Sequence, residues 1–247
     1  MPRAATIPSD TDLLCERCGY ILTSLDPGSH CPECGQLISL SNPLIRHAPV
    51  WEDRQGKNLV SAGLATSLSA FFTPRRFFRH LVIPGNLRAS RRFGRFYQLI
   101  AALLLGTAAW IHAERFGLLA GRIEMPVGSA AAWVMLTAAT WGSLLIGNHL
   151  FIRVTAFEAR YRGLRLPREV VRHAMDYHAV HLLPPAVAGL AVVVTYMWVE
   201  ERDAMRAAEW IVPYLYILGG AVVVSAGYLF VTYWIAMKSL MYGNRKV

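Results

Sequence analysis

Charged residues are scarce in this chain, and none falls inside its four longest apolar stretches. Asp, Glu, Lys and Arg make up 17% of the 247 residues, whereas soluble domains carry about 25%. The apolar stretches, each long enough to cross about 30 Å of hydrocarbon, are Phe96–Ala113, Gly128–Ile152, Ala179–Val199 and Trp210–Met237. This deficit argues against a soluble domain and predicts an all-α membrane protein with a four-helix transmembrane bundle at residues 96–237.

Motifs of common enzyme classes are absent as well. The chain has no G-x-x-x-x-G-K-[ST], no G-x-S-x-G and no G-x-G-x-x-G sequence. No ionisable residue lies near the middle of an apolar stretch, which argues against a proton-coupled carrier. The first fourteen residues hold no apolar run typical of a signal peptide. We therefore expect no enzymatic activity.

No cysteine follows Cys34, and all four in the chain belong to two Cys-x-x-Cys pairs. Cys15 and Cys18 form the first pair, and Cys31 and Cys34 form the second. Two such turns on adjacent hairpins can close a tetrahedron of sulfur around one structural zinc ion, with no position left for a catalytic water. A reducing compartment disfavours disulfides, and the βαβ context of a thioredoxin-like redox pair is missing. Four thiolates also suit iron, so the identity of the metal stays open.

The segment around the cysteines is slightly acidic. Between Leu13 and Leu40 the only arginine, Arg17, faces three acidic residues in the same segment. A surface that follows a phosphate backbone should be basic. Nucleic acid is therefore disfavoured as a ligand, and a protein partner is expected at this segment.

The text "CERCGYILTSLDPGSHCPECG" resembles the N-terminal zinc ribbon, of pattern C-x-x-C-G-Y-x-L…C-P-x-C-G, found on many bacterial multi-span membrane proteins of unassigned function. The resemblance implies a small β zinc ribbon at residues 13–38 and a bacterial inner membrane. The membrane part resembles the Yip family, in which an arginine- and phenylalanine-rich segment precedes four or five spans. "FFTPRRFFRHL" and "VRHAMDYHAVHLLPP" carry that second resemblance.

Positive charge alternates between the segments that flank the apolar stretches. The five segments hold 7, 2, 6, 2 and 3 basic residues in chain order. By the positive-inside rule, this pattern places both termini in the cytoplasm. The first segment is expected to contact anionic lipid headgroups through Arg75, Arg76, Arg79, Arg88, Arg91, Arg92 and Arg95.

Two shorter helices are predicted within an interfacial region at residues 59–95. The first, Leu59–Phe72, carries an apolar stripe but is too short to span a bilayer. The second starts with Thr73 as N-cap and Pro74 at the first helical position, and Pro84–Gly85 ends it. Residues 1–12 are expected to be a flexible N-terminus, 39–58 a linker and 238–247 a cytoplasmic tail.

Two further groups of residues are candidates for function. His173, Asp176, His178 and His181 could hold a second metal, although a helix at the membrane interface is the simpler interpretation. Ala139, Ser143 and Gly147 are spaced for close helix packing, within the chain or in a homo-oligomer.

The sequence thus predicts a multi-pass membrane protein with a zinc ribbon that serves as a scaffold or regulator. The alternative is a transporter or channel, for lipid or a small solute, regulated through the ribbon.

Overall fold

The structure is a computed structural model that describes residues 12–54, 56–83, 85–115, 129–202 and 204–245. Residues 1–11 of the predicted flexible N-terminus, together with Pro84, Arg122 and Lys246, lie outside the described residues. The described chain forms no named strand, and its α-helices are α1 Leu59–Phe72, α2 Pro74–Arg79, α3 Leu87–Arg115, α4 Ser129–Tyr161, α5 Arg168–His178, α6 Leu183–Arg202 and α7 Ala204–Leu240. Short 3-10 helices lie at Ile38–Ser41, Pro43–Ile45 and Ala179–Leu182.

Among the described residues, four helical stretches are long and apolar enough to cross a membrane, in agreement with the predicted number. They are Leu87–Glu114, Ala130–Tyr161, Arg168–Arg202 and Glu209–Leu240. No more than 33% of the most apolar part of any of them is buried. Soluble proteins rarely expose apolar surface on this scale, so a lipid environment accounts for these helices. The chain has the character of a multi-pass membrane protein.

The third and fourth apolar stretches begin earlier than the sequence indicates. The third comprises α5, a 3-10 turn and α6, and Pro184 and Pro185 lie in the first turn of α6. The fourth belongs to α7, which begins at Ala204, so Pro213 lies inside the helix although the apolar stretch that begins at Trp210 would place it in the first turn. Helix-forming residues just before the apolar stretch extend α7 toward the N-terminus.

Helix α1 packs through its small residues and leaves its large apolar residues exposed. Its buried residues are Ala62, Thr66, Ser67 and Ala70. The exposed residues include most of the predicted stripe, namely Leu59, Val60, Leu64, Leu68 and Phe72. A face of this kind is suited to insertion between lipid headgroups.

Helix α2 starts as predicted but is shorter. Thr73 is its N-cap residue and Pro74 its first residue. The Thr73 hydroxyl donates to the Ser69 carbonyl oxygen and accepts no hydrogen bond from the helix that follows it. The helix ends at Arg79, well before the predicted stop. Phe78 and Leu81 are buried and anchor the segment.

The chain divides into two compact units. Unit 1 contains Met1–Ser90, Ile152–Ala174 and Trp234–Val247, and unit 2 contains Arg91–Phe151 and Met175–Tyr233. Within unit 1, the Arg165 amide N–H donates to the Met241 carbonyl oxygen at 3.1 Å, and its guanidinium donates to the Asp12 carbonyl oxygen at 2.7 Å. Unit 1 therefore contains the third and fifth basic segments and the part of the first up to Arg88, which the charge pattern assigns to one side of the membrane.

Candidate metal centre

Two turns of identical backbone geometry hold the cysteines. In the first turn the Cys15 N–H donates to the Tyr20 carbonyl oxygen and the Gly19 N–H to the Cys15 carbonyl oxygen, both at 2.8 Å. In the second turn the Cys31 N–H donates to the Gln36 carbonyl oxygen at 2.8 Å and the Gly35 N–H donates to the Cys31 carbonyl oxygen at 2.9 Å. The glycines have φ angles of +80° and +69°. Glycine adopts this left-handed conformation without a steric cost, as the sequence predicts for both positions.

Regular strand pairing is limited to one bridge at each turn. Leu14 pairs with Ile21 and His30 with Leu37, both antiparallel. Between the turns, the Ser29 N–H donates to the Asp26 carbonyl oxygen at 3.0 Å and closes a turn at Asp-Pro-Gly. Each Cys-x-x-Cys turn reverses the chain after a single pair, so the predicted β ribbon is reduced to isolated bridges in the described residues.

The four sulfur atoms converge on one point. The Cys15 and Cys34 Sγ atoms are 3.5 Å apart, the Cys18 and Cys31 Sγ atoms are 3.6 Å apart, and all four lie within 4.8 Å of one another. A zinc–sulfur bond of about 2.3 Å gives a tetrahedron with edges of about 3.8 Å. All four cysteines are free thiols. Within the described ranges, this is the only set of three or more His, Cys, Asp or Glu residues that could hold a metal ion.

The thiols cannot all ionise together without a cation. Desolvation, followed by hydrogen bonds with the other three thiols, raises the pKa of Cys18 to about 12. Burial also raises the pKa of Cys15. Burial acts in the same direction on Cys31, but hydrogen bonds from the Cys34 and Glu33 amides outweigh it and bring that pKa to about 7. A bound divalent cation would stabilise four thiolates at this distance.

The cysteine segment has only a small hydrophobic core. Leu22 and Ile38 are buried together with Cys15 and Cys31, and Leu13 packs partly buried against them. So few apolar side chains cannot offset the conformational entropy of ordering the segment. Metal binding contributes folding free energy directly in small domains of this type.

The C-terminal tail holds this segment through hydrogen bonds. The Asn244 side-chain oxygen accepts from the Leu14 N–H at 2.9 Å, and its amide donates to the carbonyl oxygens of Leu14 and Ser41, each at 2.8 Å. Tyr242 lies so close to Gly19 that an added Cβ would be 2.7 Å from its ring. The segment that holds the cysteines is therefore packed on the end of the chain.

A buried ion pair joins the first cysteine turn to the residues that follow the cysteine segment. The Arg46 guanidinium binds the Glu16 carboxylate at 2.7 Å, and the two side chains are 0% and 4% exposed. Arg46 also donates to the Leu81 carbonyl oxygen at 2.9 Å, next to α2. Burial raises the pKa of Glu16, although the charge and hydrogen bonds of Arg46 act in the opposite direction. Arg46 lies in the segment predicted as a linker, which in the structure packs against both the cysteine turns and α2.

Sequence reasoning did not identify Glu16, Arg46 or Asn244 as part of the site. Asn244 is 230 positions away from Leu14, and a lone asparagine near the chain end carries no local signal. The repeated text C-x-x-C-G, displaced by sixteen residues, was the one available signal for the matching turns.

The histidine-rich segment does not assemble a second metal site. His173 pairs with the Glu52 carboxylate in unit 1. In unit 2 the His178 ring bonds the Thr232 hydroxyl at 2.8 Å and the His181 ring bonds the Tyr228 hydroxyl at 2.7 Å. These three histidines and Asp176 are all buried. The interpretation of this segment as a helix at the membrane interface did not anticipate this burial, since each histidine packs on a partner within the protein.

Comparison with known proteins adds no assignment: no family model matches the chain, and neither a curated protein nor a solved structure is detectably similar to it. The resemblance to the Yip family and to ribbon-bearing membrane proteins stays a prediction from the sequence.

Proposed function

We propose that the chain is an integral protein of the bacterial inner membrane in which one structural zinc ion, held by Cys15, Cys18, Cys31 and Cys34, organises a scaffold on the cytoplasmic side. The observation that carries the proposal is the convergence of four free thiols within 4.8 Å in a chain with four membrane-length helices. Saturated sulfur ligation is typical of structural metal centres, since it leaves no open position for a substrate.

The contacts of the cysteine segment support a structural role. Hydrogen bonds from Asn244 and the Glu16–Arg46 ion pair join this segment to the chain terminus and to the residue that follows α2. A metal that fixes the two cysteine turns therefore also fixes the surfaces on which these distant parts of the chain meet. We propose that the ion stabilises unit 1 as a whole.

The cytoplasmic orientation is supported by the composition of unit 1. It contains the third and fifth basic segments and four of the seven arginines of the first, namely Arg75, Arg76, Arg79 and Arg88. Reduced thiols also require a reducing compartment such as the cytoplasm. An impermeant thiol reagent should label the protein in inverted membrane vesicles after metal removal and should not label it in intact cells.

A protein partner would contact exposed apolar side chains of the residues that follow the cysteines. Leu44 is 71% exposed and Leu40 is 45% exposed, and each lies in a short 3-10 helix. Exposed apolar patches mark protein contacts when they are contiguous, and these two leucines are the proposed centre of such a patch. Cross-linking in native membranes should capture a partner from the wild type, and the capture should be lost in a Leu40→Ser, Leu44→Ser variant.

Metal analysis of the purified protein tests the proposed centre. The wild type should carry one zinc ion per chain, and Cys31→Ser should carry none while it still resists carbonate extraction from membranes. Stoichiometric zinc in the Cys31→Ser variant would contradict four-sulfur ligation. Iron in place of zinc would keep the ligand set and change the identity of the metal.

The transporter or channel alternative draws support from a cavity within unit 2. Its volume is about 470 Å³, and its apolar walls carry a few polar groups, among them Gln98, Asn148 and His178. A cavity of this size and composition can hold a small amphiphilic molecule. Solute flux into reconstituted vesicles would favour this alternative, and lasting absence of flux would favour the scaffold.

A further inference from the structure

Unit 1 contains a cavity of about 750 Å³ beside the first cysteine turn. The cysteine segment contributes Glu16, Arg17 and Gln36 to its lining. Helix α2 contributes Arg75 and Arg79 from its exposed face. The remaining lining residues come from the end of α7 and the tail and are Trp234, Ile235, Lys238, Ser239, Met241 and Tyr242.

The cavity is positively charged. Four of the lining residues, Arg17, Arg75, Arg79 and Lys238, are cationic, and Glu16 is the only acid among them. Glu16 is already neutralised by the buried guanidinium of Arg46. Within the described part of the chain, no carboxylate forms an ion pair with any of the four cations. Four cations beside a single carboxylate, which Arg46 already binds, repel each other, and a ligand with two negative charges would relieve that repulsion.

The chemistry of the lining favours a phosphate ester. Arginine presents a planar set of donors that matches phosphate oxygens, and three arginines with one lysine can satisfy several of them at once. The lining also includes Trp234 and Ile235, which lie in the last turns of an apolar helix. Tryptophan at such a position marks the boundary between hydrocarbon and headgroup. A phosphate that enters from a lipid would keep its glycerol and acyl chains beside this apolar wall.

We propose that this cavity binds the phosphate headgroup of an anionic lipid, and that its binding requires the metal centre. The inference rests on the proposed function, because Arg17 and Glu16 lie between the ligands Cys15 and Cys18, and Gln36 lies two residues after Cys34. The Arg17 guanidinium donates to the Cys34 carbonyl oxygen at 3.4 Å, so both cysteine turns position it. Loss of the metal removes one wall of the cavity and leaves the arginines of α2 without the rest of the site.

The proposal narrows the sequence-based expectation that seven arginines contact lipid. Only Arg75 and Arg79 of those seven line this cavity. Arg88 and Arg92 are exposed members of the same set and lie outside it, so they provide a control of equal charge. General attraction to an anionic surface would depend on both pairs alike.

Native mass spectrometry of the full-length protein in a neutral detergent tests the proposal, because one spectrum counts both bound metal and bound lipid. The probes are dihexanoyl phosphatidic acid and, as the zwitterionic control, dihexanoyl phosphatidylcholine. The Arg75→Gln, Arg79→Gln variant should bind the acidic lipid at least tenfold more weakly than the wild type, since it loses two charged donors. The Arg88→Gln, Arg92→Gln variant should change that affinity by less than about threefold.

Removal of the metal with a chelator should weaken binding of the acidic lipid as strongly as the α2 variant does. Lys238→Gln removes the cation that α7 contributes to the lining, and it should weaken binding of the acidic lipid about fivefold. This variant provides the test if the α2 variant loses its metal. Equal losses in the Arg75, Arg79 and Arg88, Arg92 variants would overturn the site in favour of general surface attraction. Undiminished lipid binding by metal-free protein would overturn the dependence on metal.

Inorganic phosphate distinguishes a lipid from a soluble ligand. Phosphate at the same concentration as the lipid should displace little of it, because it lacks contact with the apolar wall. Complete displacement would overturn the lipid assignment in favour of a soluble phosphate compound. A wild-type protein that carries no metal as purified, yet binds the acidic lipid selectively, would refute the proposed function and the metal dependence but leave the phosphate site standing.

Discussion

Asn244 gives the sharpest perturbation of the cysteine segment, because its side chain bonds backbone groups of Leu14 and Ser41 and no cysteine side chain. Its side chain is 3% exposed and makes three hydrogen bonds of 2.8–2.9 Å to backbone groups of Leu14 and Ser41. Asn244→Ala leaves those three buried groups without partners. Each such loss costs about 1 kcal/mol or more. The free energy of local opening should therefore fall by about 3 kcal/mol.

The rate at which the cysteines react with a maleimide measures this opening. If opening and closing are fast, the rate follows the opening equilibrium, so a loss of about 3 kcal/mol should accelerate labelling roughly a hundredfold. Asn42→Ala is the matched control, since Asn42 is exposed and its side chain accepts one hydrogen bond, from the Leu44 N–H. Equal labelling rates in the two variants would refute the conclusion that the tail holds the cysteine segment.

Three further predictions concern the same unit. Gly35→Ala should destabilise the second turn by roughly 1–2 kcal/mol, because an alanine is strained in the left-handed backbone conformation of that position. Gly19→Ala should destabilise its turn more, because the new methyl group also meets the Tyr242 ring. Equal losses of stability in thermal unfolding would show that the ring does not pack there. Burial, with neighbouring cationic groups, lowers the pKa of His80 below its usual 6.5. As the pH falls below 6.5, His80 therefore takes up a proton in the unfolded chain before it does so in the folded protein. The free energy of unfolding should decline over that range. His80→Asn should flatten that decline in melting temperature, and an unchanged slope would assign it to other groups. A chelator should lower the melting temperature of the wild type, with no effect on the variant Cys31→Ser; equal shifts in both would place the chelated metal elsewhere.

The membrane helices and the cysteine turns could be predicted because their signals are local. A run of apolar residues requires a helix in lipid whatever its neighbours are. The four predicted stretches coincide with observed helical stretches, apart from Gly128, which lies outside the described residues. Cys-x-x-Cys-Gly specifies a turn through the left-handed glycine that follows the second cysteine. The bounds of the helices were less predictable, as Pro213 shows, because polar residues at a helix end can continue it without any change in hydropathy.

The attachments of the cysteine segment could not be predicted because they join residues far apart in the chain. Arg46 and Glu16 are 30 positions apart, and each resembles an ordinary exposed charge until the chain folds. The apolar stripe of α1 was predicted correctly as a helix face, but the sequence did not show which face of the helix packs against the protein. Its periodicity was correct, yet the small residues of the opposite face pack against the protein and the large apolar residues are exposed, as membrane contact would require.

The buried histidines illustrate a similar ambiguity. His173, His178 and His181 read from the sequence as a polar cluster at the membrane interface, and spacing alone cannot show which of them has a partner elsewhere. Their partners are Glu52, Thr232 and Tyr228, each from another part of the chain. The small residues Ala139, Ser143 and Gly147 of α4 were expected to allow close helix packing. Among the described residues outside its own helix, an added Cβ at Gly147 would meet no atom within 4 Å, so packing within the chain does not require the glycine.

X-ray absorption spectroscopy of the purified full-length protein tests the central claim most directly, because it identifies the metal and its ligand atoms in one measurement. The four-thiolate centre predicts zinc with a single shell of four sulfur atoms at about 2.3 Å. A shell that contains nitrogen or oxygen, or a protein whose four cysteines are oxidised and hold no metal, would contradict it.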